Sequence, residues 1–213
     1  MRRTLLLLAI LSTGPAALAA QGDARLDRLE PSVGATVRHL VDSARAAGLP
    51  TEPLVDKALE GASKNAPGTR ISGAVRGLLE DLGRARSALG SGATESELVA
   101  GAAALRAGLP PEGLGALREA RKDAAVTVPL ATLADLVARG VPVETAQEAV
   151  LRLARRGEPD QDFVELRREV ERDISAGVPP AAATSVRANG GRPPDQVVGP
   201  GRGKGKGQQK KLD

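Results

Sequence analysis

The chain has 213 residues, 41% of them hydrophobic, with 30 Lys and Arg against 26 Asp and Glu and a formal net charge of +4. It contains no cysteine, one histidine and a single aromatic residue, Phe163. These counts exclude disulfides, thiolate chemistry and histidine-rich metal centres, and they remove the aromatic faces on which bases and sugars usually stack.

The first segment reads as a signal peptide over residues 1–19. Arg2 and Arg3 form a basic start, Leu5 to Leu11 an apolar stretch, and Ala17-Leu18-Ala19 a small-x-small cleavage site that leaves Ala20 as the new N-terminus. Ser12, Thr13, Gly14 and Pro15 interrupt the apolar run well before the about 20 residues that a spanning helix needs. The expectation is therefore an exported protein, periplasmic or extracellular, with no integral membrane segment after cleavage. Residues 20–32 are expected to be a frayed lead-in.

Between residues 33 and 187 the apolar residues recur at helical spacing, without sustained alternation. Val33, Val37, Leu40 and Val41 open the series, and Leu54, Val55, Ala58 and Leu59 follow. Ile71, Val75, Leu78 and Leu82 mark the third stripe, then Leu98, Ala102 and Leu105 a fourth. Leu114 with Leu117, Leu130 with Leu133, Ala146 with Val150, and Phe163 with Leu166 and Val170 continue the pattern. Each stripe is one-sided, so each helix needs neighbours to cover it.

Gly-apolar-Pro recurs at Gly48-Leu49-Pro50, Gly108-Leu109-Pro110, Gly140-Val141-Pro142 and Gly177-Val178-Pro179. Glycine can adopt the left-handed conformation that ends a helix, and the proline prevents continuation. Thr94-x-x-Glu97 has the form of a capping box, and Asp160 is a candidate N-cap. The pattern predicts an all-α fold of eight or nine short antiparallel helices, arranged as an irregular bundle or a short solenoid-like array. The loose spacing of the helix stops favours an irregular bundle or curved array over a regular solenoid.

From about residue 188 the chain turns to Gly, Pro, Gln and Lys, with only Val197, Val198 and Leu212 bulky and apolar. That is too little burial to offset the entropy of ordering, and a disordered basic tail over 188–213 is expected. Residues 187–213 carry Arg187, Arg192, Arg202, Lys204, Lys206, Lys210 and Lys211 against Asp195 and Asp213, whereas residues 21–186 hold 21 bases against 24 acids. Arg202, Lys204, Lys206, Lys210 and Lys211 are the candidate contacts for an anionic surface. The glycines between them lack the strand and helix that a phosphate-binding loop requires.

No catalytic constellation stands out. His39 lies beside a core stripe and reads as a structural or partly exposed side chain, and no nucleophile elbow accompanies it. Glu169 and Asp173, at i,i+4, could share a cation, but they sit in an alternating charged run that reads as a solvated face with pairs such as Glu165 with Arg168 and Arg167 with Glu171. The sequence calls for no metal and no cofactor. It suggests a non-enzymatic exported protein that contacts an unidentified protein partner in the envelope or outside the cell. The alternatives are nonspecific polyanion or nucleic-acid binding through the tail, and a carboxylate-based enzyme.

Overall fold

The computed structural model describes residues 23–191. The predicted signal peptide and most of the tail, with Arg202, Lys204, Lys206, Lys210 and Lys211, lie outside the described residues. Within them the chain forms a 3₁₀ turn, Ala24–Arg28, then α1 Pro31–Ala46, α2 Glu52–Ser63, α3 Gly68–Leu89, α4 Glu95–Arg106 and α5 Pro111–Ala120. It continues with α6 Thr127–Ala138, α7 Val143–Arg155, α8 Asp160–Ser175 and α9 Pro180–Ala188, with no strand among the described residues. The all-α expectation holds, at the upper of the two helix counts.

The repeated helix stop works as its residues predict. Gly48, Gly108, Gly140 and Gly177 have φ of 64°, 104°, 87° and 89°. In each case the following apolar residue donates its backbone N–H to the carbonyl five positions back: Leu49 to Ala44 at 2.9 Å, Leu109 to Ala104 at 3.0 Å, Val141 to Leu136 at 3.1 Å and Val178 to Asp173 at 2.9 Å. This closure satisfies end carbonyls that would otherwise lack donors and turns the chain back.

The helices lie in two rows. One row runs α1, α3, α5, α7, α9 and the other α2, α4, α6, α8, and each substantial contact joins elements no more than two places apart in the chain. This neighbour-to-neighbour packing is compatible with the irregular bundle or curved array that the loose spacing of the stops favours. The spacing of the helix stops is loose because helix lengths vary, from 9 residues in α9 to 22 in α3. Close approach between the rows relies on small residues. A Cβ on Gly101 of α4 would come within 3.1 Å of Ala85 Cβ and 3.2 Å of Leu89 Cδ1 on α3.

Two local expectations need correction. The lead-in is not frayed from Asp23 onward, because Leu26 and Leu29 are 1% and 7% exposed and join the core beside α1 and α2. Arg25 reinforces this by donating to Asp23 and to Glu52 of α2, at 2.6 and 2.7 Å. Asp160 is not an N-cap: Pro159 holds that position, and Asp160, as the first helical residue, accepts instead from Arg121 at 2.7 Å.

Leu133 and Val150, mid-stripe in α6 and α7, are 2% and 0% exposed. Leu133→Ala should therefore cost about 2 to 4 kcal/mol in chemical denaturation. Val99→Ala, at a site open to solvent, should stay within about 0.5 kcal/mol of the parent.

Candidate functional site

The face most suited to contact runs across α2, α4 and α6. α4 is unusual from the sequence upward, since Leu98 to Leu105 is an unbroken apolar run. Such a helix needs cover on all sides. α3 and α6 bury Leu98, Ala102 and Leu105, but α2 makes no comparable packing against α4. The space left there is a groove of about 900 Å³, floored by Val99, Ala100, Ala103, Ala131 and Ala134, with Pro50 and Pro53 at one side. Val99, 39% exposed, is the only exposed large hydrophobic side chain among the described residues.

The rim is acidic. Glu52, Asp56, Glu60, Glu95 and Asp135 line the groove against one lysine, Lys57. Some of this charge is met from outside the lining: Arg25 reaches Glu52 at 2.7 Å and Asp56 at 3.8 Å, Lys64 reaches Glu60 at 2.5 Å, and Arg167 reaches Asp135 at 3.2 Å. Hydrogen bonds from Lys57 and Lys64 hold the Glu60 carboxyl down at about 2, and the Arg25 guanidinium lowers that of Glu52. Both are ionised across the neutral range. Glu95 has no ion pair among the described residues.

A second depression, about 1090 Å³, lies between α3 and α5. Glycine, alanine and serine line it with Glu80, Arg84, Pro111 and Glu112, so it offers no bulky apolar contact.

The carboxylates that could have served chemistry are committed to structure. Glu169 and Asp173 form neither a cation site nor a solvated pair, because Arg187 of α9 bridges them at 3.1 and 2.6 Å. Arg167 turns to Asp135 on α6, and Arg139 of α6 reaches Glu171 at 3.1 Å, so the charged face of α8 latches neighbouring helices together. Sequence spacing along one helix shows only partners at i,i+3 and i,i+4, which is why these were missed. Asp81, buried on α3, accepts from Arg106 of α4 at 2.8 Å and pairs with Arg84. His39 is exposed on α1. Among the described residues no group of three or more His, Asp or Glu is placed to hold a metal ion, and no helix is long and apolar enough to cross a membrane.

Sequence reasoning missed the groove, because its lining comes from three helices. The available signal was Val99, an apolar residue off the stripe of Leu98, Ala102 and Leu105. Comparison with protein-family models, with curated proteins and with solved structures finds no match to this chain.

Proposed function

We propose that this chain is an exported, non-enzymatic interaction module that receives a partner on the face formed by α2, α4 and α6. The observation that carries the reading is the open apolar floor around Val99, rimmed by carboxylates, where the other large apolar side chains among the described residues are buried or half-buried. Two stacked rows of helices suit this role, since they present a continuous surface while each helix is held by its near neighbours.

A photo-crosslinking residue at position 99, in cells producing the chain, should capture a second polypeptide that the same residue at exposed Glu148 on α7 does not. Equal capture at both positions, or none at 99 both in the full chain and in one ending at Gly191, overturns the reading. Export has its own check. N-terminal sequencing of the mature protein should begin at Ala20 or within about two residues of it.

The concentration of basic residues after Arg187 supports an auxiliary role for the tail in contact with anionic surfaces. At roughly 1 kcal/mol per cation the six bases after Arg187 give a Kd on the order of 0.1 to 1 mM once the two acids are set against them, enough to enrich but not to specify. Replacing Arg202, Lys204, Lys206, Lys210 and Lys211 by Gln should reduce retention on an anionic surface at low salt, and about 0.5 M salt should abolish it for the parent chain.

A further inference from the structure

We infer that the groove between α2, α4 and α6 is the docking site of this chain's own C-terminal segment, residues 192–213, held in cis by its cations. The inference rests on reading that groove as a contact surface, and it names the resident occupant. Five carboxylates line the groove with Lys57; Arg25, Lys64 and Arg167 reach four of them from outside the lining, Glu95 has no ion pair among the described residues, and the segment brings Arg192, Arg202, Lys204, Lys206, Lys210 and Lys211 against Asp195 and Asp213. The steric match is as direct as the charge match. The floor is shallow and built mostly of alanine, and Gly203-Lys204-Gly205-Lys206-Gly207 has no side chain other than its lysines to clash with it. Val197, Val198 and Leu212 are the apolar residues available to cover Val99.

Connectivity permits the contact. The segment leaves from the end of α9, which packs on α8; α8 packs on α6, and α6 forms one wall of the groove. At 8 to 10 Å per helix contact the path is about 20 to 30 Å, whereas 22 residues can extend to roughly 70 to 80 Å. Tethering also supplies the affinity that charge alone lacks. A tether of this length gives an effective concentration on the order of 1 mM, so a contact with a Kd of about 0.1 mM is largely closed in cis and mostly open for the same peptide at low micromolar concentration in trans. A nearer acidic patch exists at the root of the segment, where Glu158, Asp162, Glu165 and Glu169 surround a hollow of about 250 Å³ with Arg156 and Arg187. That hollow is too small to seat more than a few residues.

The test compares backbone amide resonances of the mature full-length chain with those of two variants. In one, Arg202, Lys204, Lys206, Lys210 and Lys211 are all replaced by Gln; the other ends at Gly191. The expected result is that both changes, and about 0.5 M salt on the parent, move the resonances of Val99, Ala103, Ala131 and Ala134 in the same direction. Tenfold dilution of the parent should leave them in place, because a tethered contact does not depend on concentration. Unmoved groove resonances overturn the inference, as do shifts confined to Glu158 to Glu169. Movement on dilution overturns it too, since it assigns the groove to the tail of a second copy. The wider reading fails separately, if the chain ending at Gly191 and carrying the crosslinker at position 99 captures no partner.

Discussion

Replacing Glu97 by Ala should lower the stability of the protein by about 3 to 5 kcal/mol, the range for removing one member of a buried ion pair. Glu97 begins as an ordinary cap. Thr94 Oγ1 accepts from the Glu97 backbone N–H at 3.2 Å, and the Glu97 carboxylate accepts from the Thr94 N–H at 3.0 Å. The same carboxylate also accepts from the buried Val126 N–H at 3.0 Å and from Arg118 at 2.5 Å, with the Glu97 side chain only 5% exposed. One side chain therefore joins the start of α4 to α5 and to the turn before α6. Its loss leaves the Val126 donor buried without that acceptor.

Burial works against the charged form of Glu97, but the Thr94 and Val126 N–H groups and the Arg118 guanidinium outweigh it and hold the carboxyl at about 2, below its ordinary 4.5. Because the folded value is depressed, the stabilisation is fully present above about pH 4.5 and is lost as pH falls towards 2, amounting to roughly 3 kcal/mol. Glu97→Gln keeps the shape without the charge. Its deficit relative to the parent should be largest at neutral pH and shrink between pH 5 and 2 in equilibrium unfolding followed by circular dichroism. A deficit independent of pH would show that the charge is not what holds this junction.

Phe163→Ala should cost a similar amount, about 3 to 5 kcal/mol, since the ring is the largest fully buried side chain and leaves a cavity between α6 and α8. The ring has a second role. The Arg121 guanidinium lies 5.1 Å from its centroid while donating to the Glu158 carbonyl and to Asp160, each at 2.7 Å, and to the Ala125 carbonyl at 3.1 Å. Arg121 is thus the pin between the end of α5 and the start of α8, and the ring is the surface against which it lies. Phe163→Leu should retain most of the volume but lose the ring face, a cost of about 1 to 2 kcal/mol. The difference between the two variants, read from denaturant midpoints, separates volume from the cation contact. A Phe163→Leu midpoint equal to the parent's would remove the ring face from the account.

Much of the fold was legible from residue order because helix formation and termination depend on neighbours in the chain. The stripes at Leu54, Val75, Leu98, Leu133 and Phe163 are buried as their spacing predicts, and the four glycine stops carry positive φ. The capping box at Thr94 and Glu97 formed where its pattern placed it. The lead-in was misread for a related reason: Leu26 and Leu29 are too few to form a stripe, and only the presence of α1 and α2 beside them makes their burial favourable.

What only the tertiary structure decided is everything that requires two helices distant in sequence to meet. Arg187 and Glu169 lie 18 residues apart, Arg106 and Asp81 25 apart, and Glu97 and Val126 29 apart. No local period connects them, so a run such as Glu165 to Asp173 reads as a solvated face until its partners arrive from α6 and α9. The groove is a stronger case, because it exists through a contact that is weak: α2 stands off from α4 while α6 closes on it. Sequence determined that Leu98 to Leu105 of α4 is an unbroken apolar run and that the basic excess lies after Arg187. Which side of α4 stayed uncovered followed from how two rows of unequal helices stack, and that outcome left Val99 facing solvent among carboxylates.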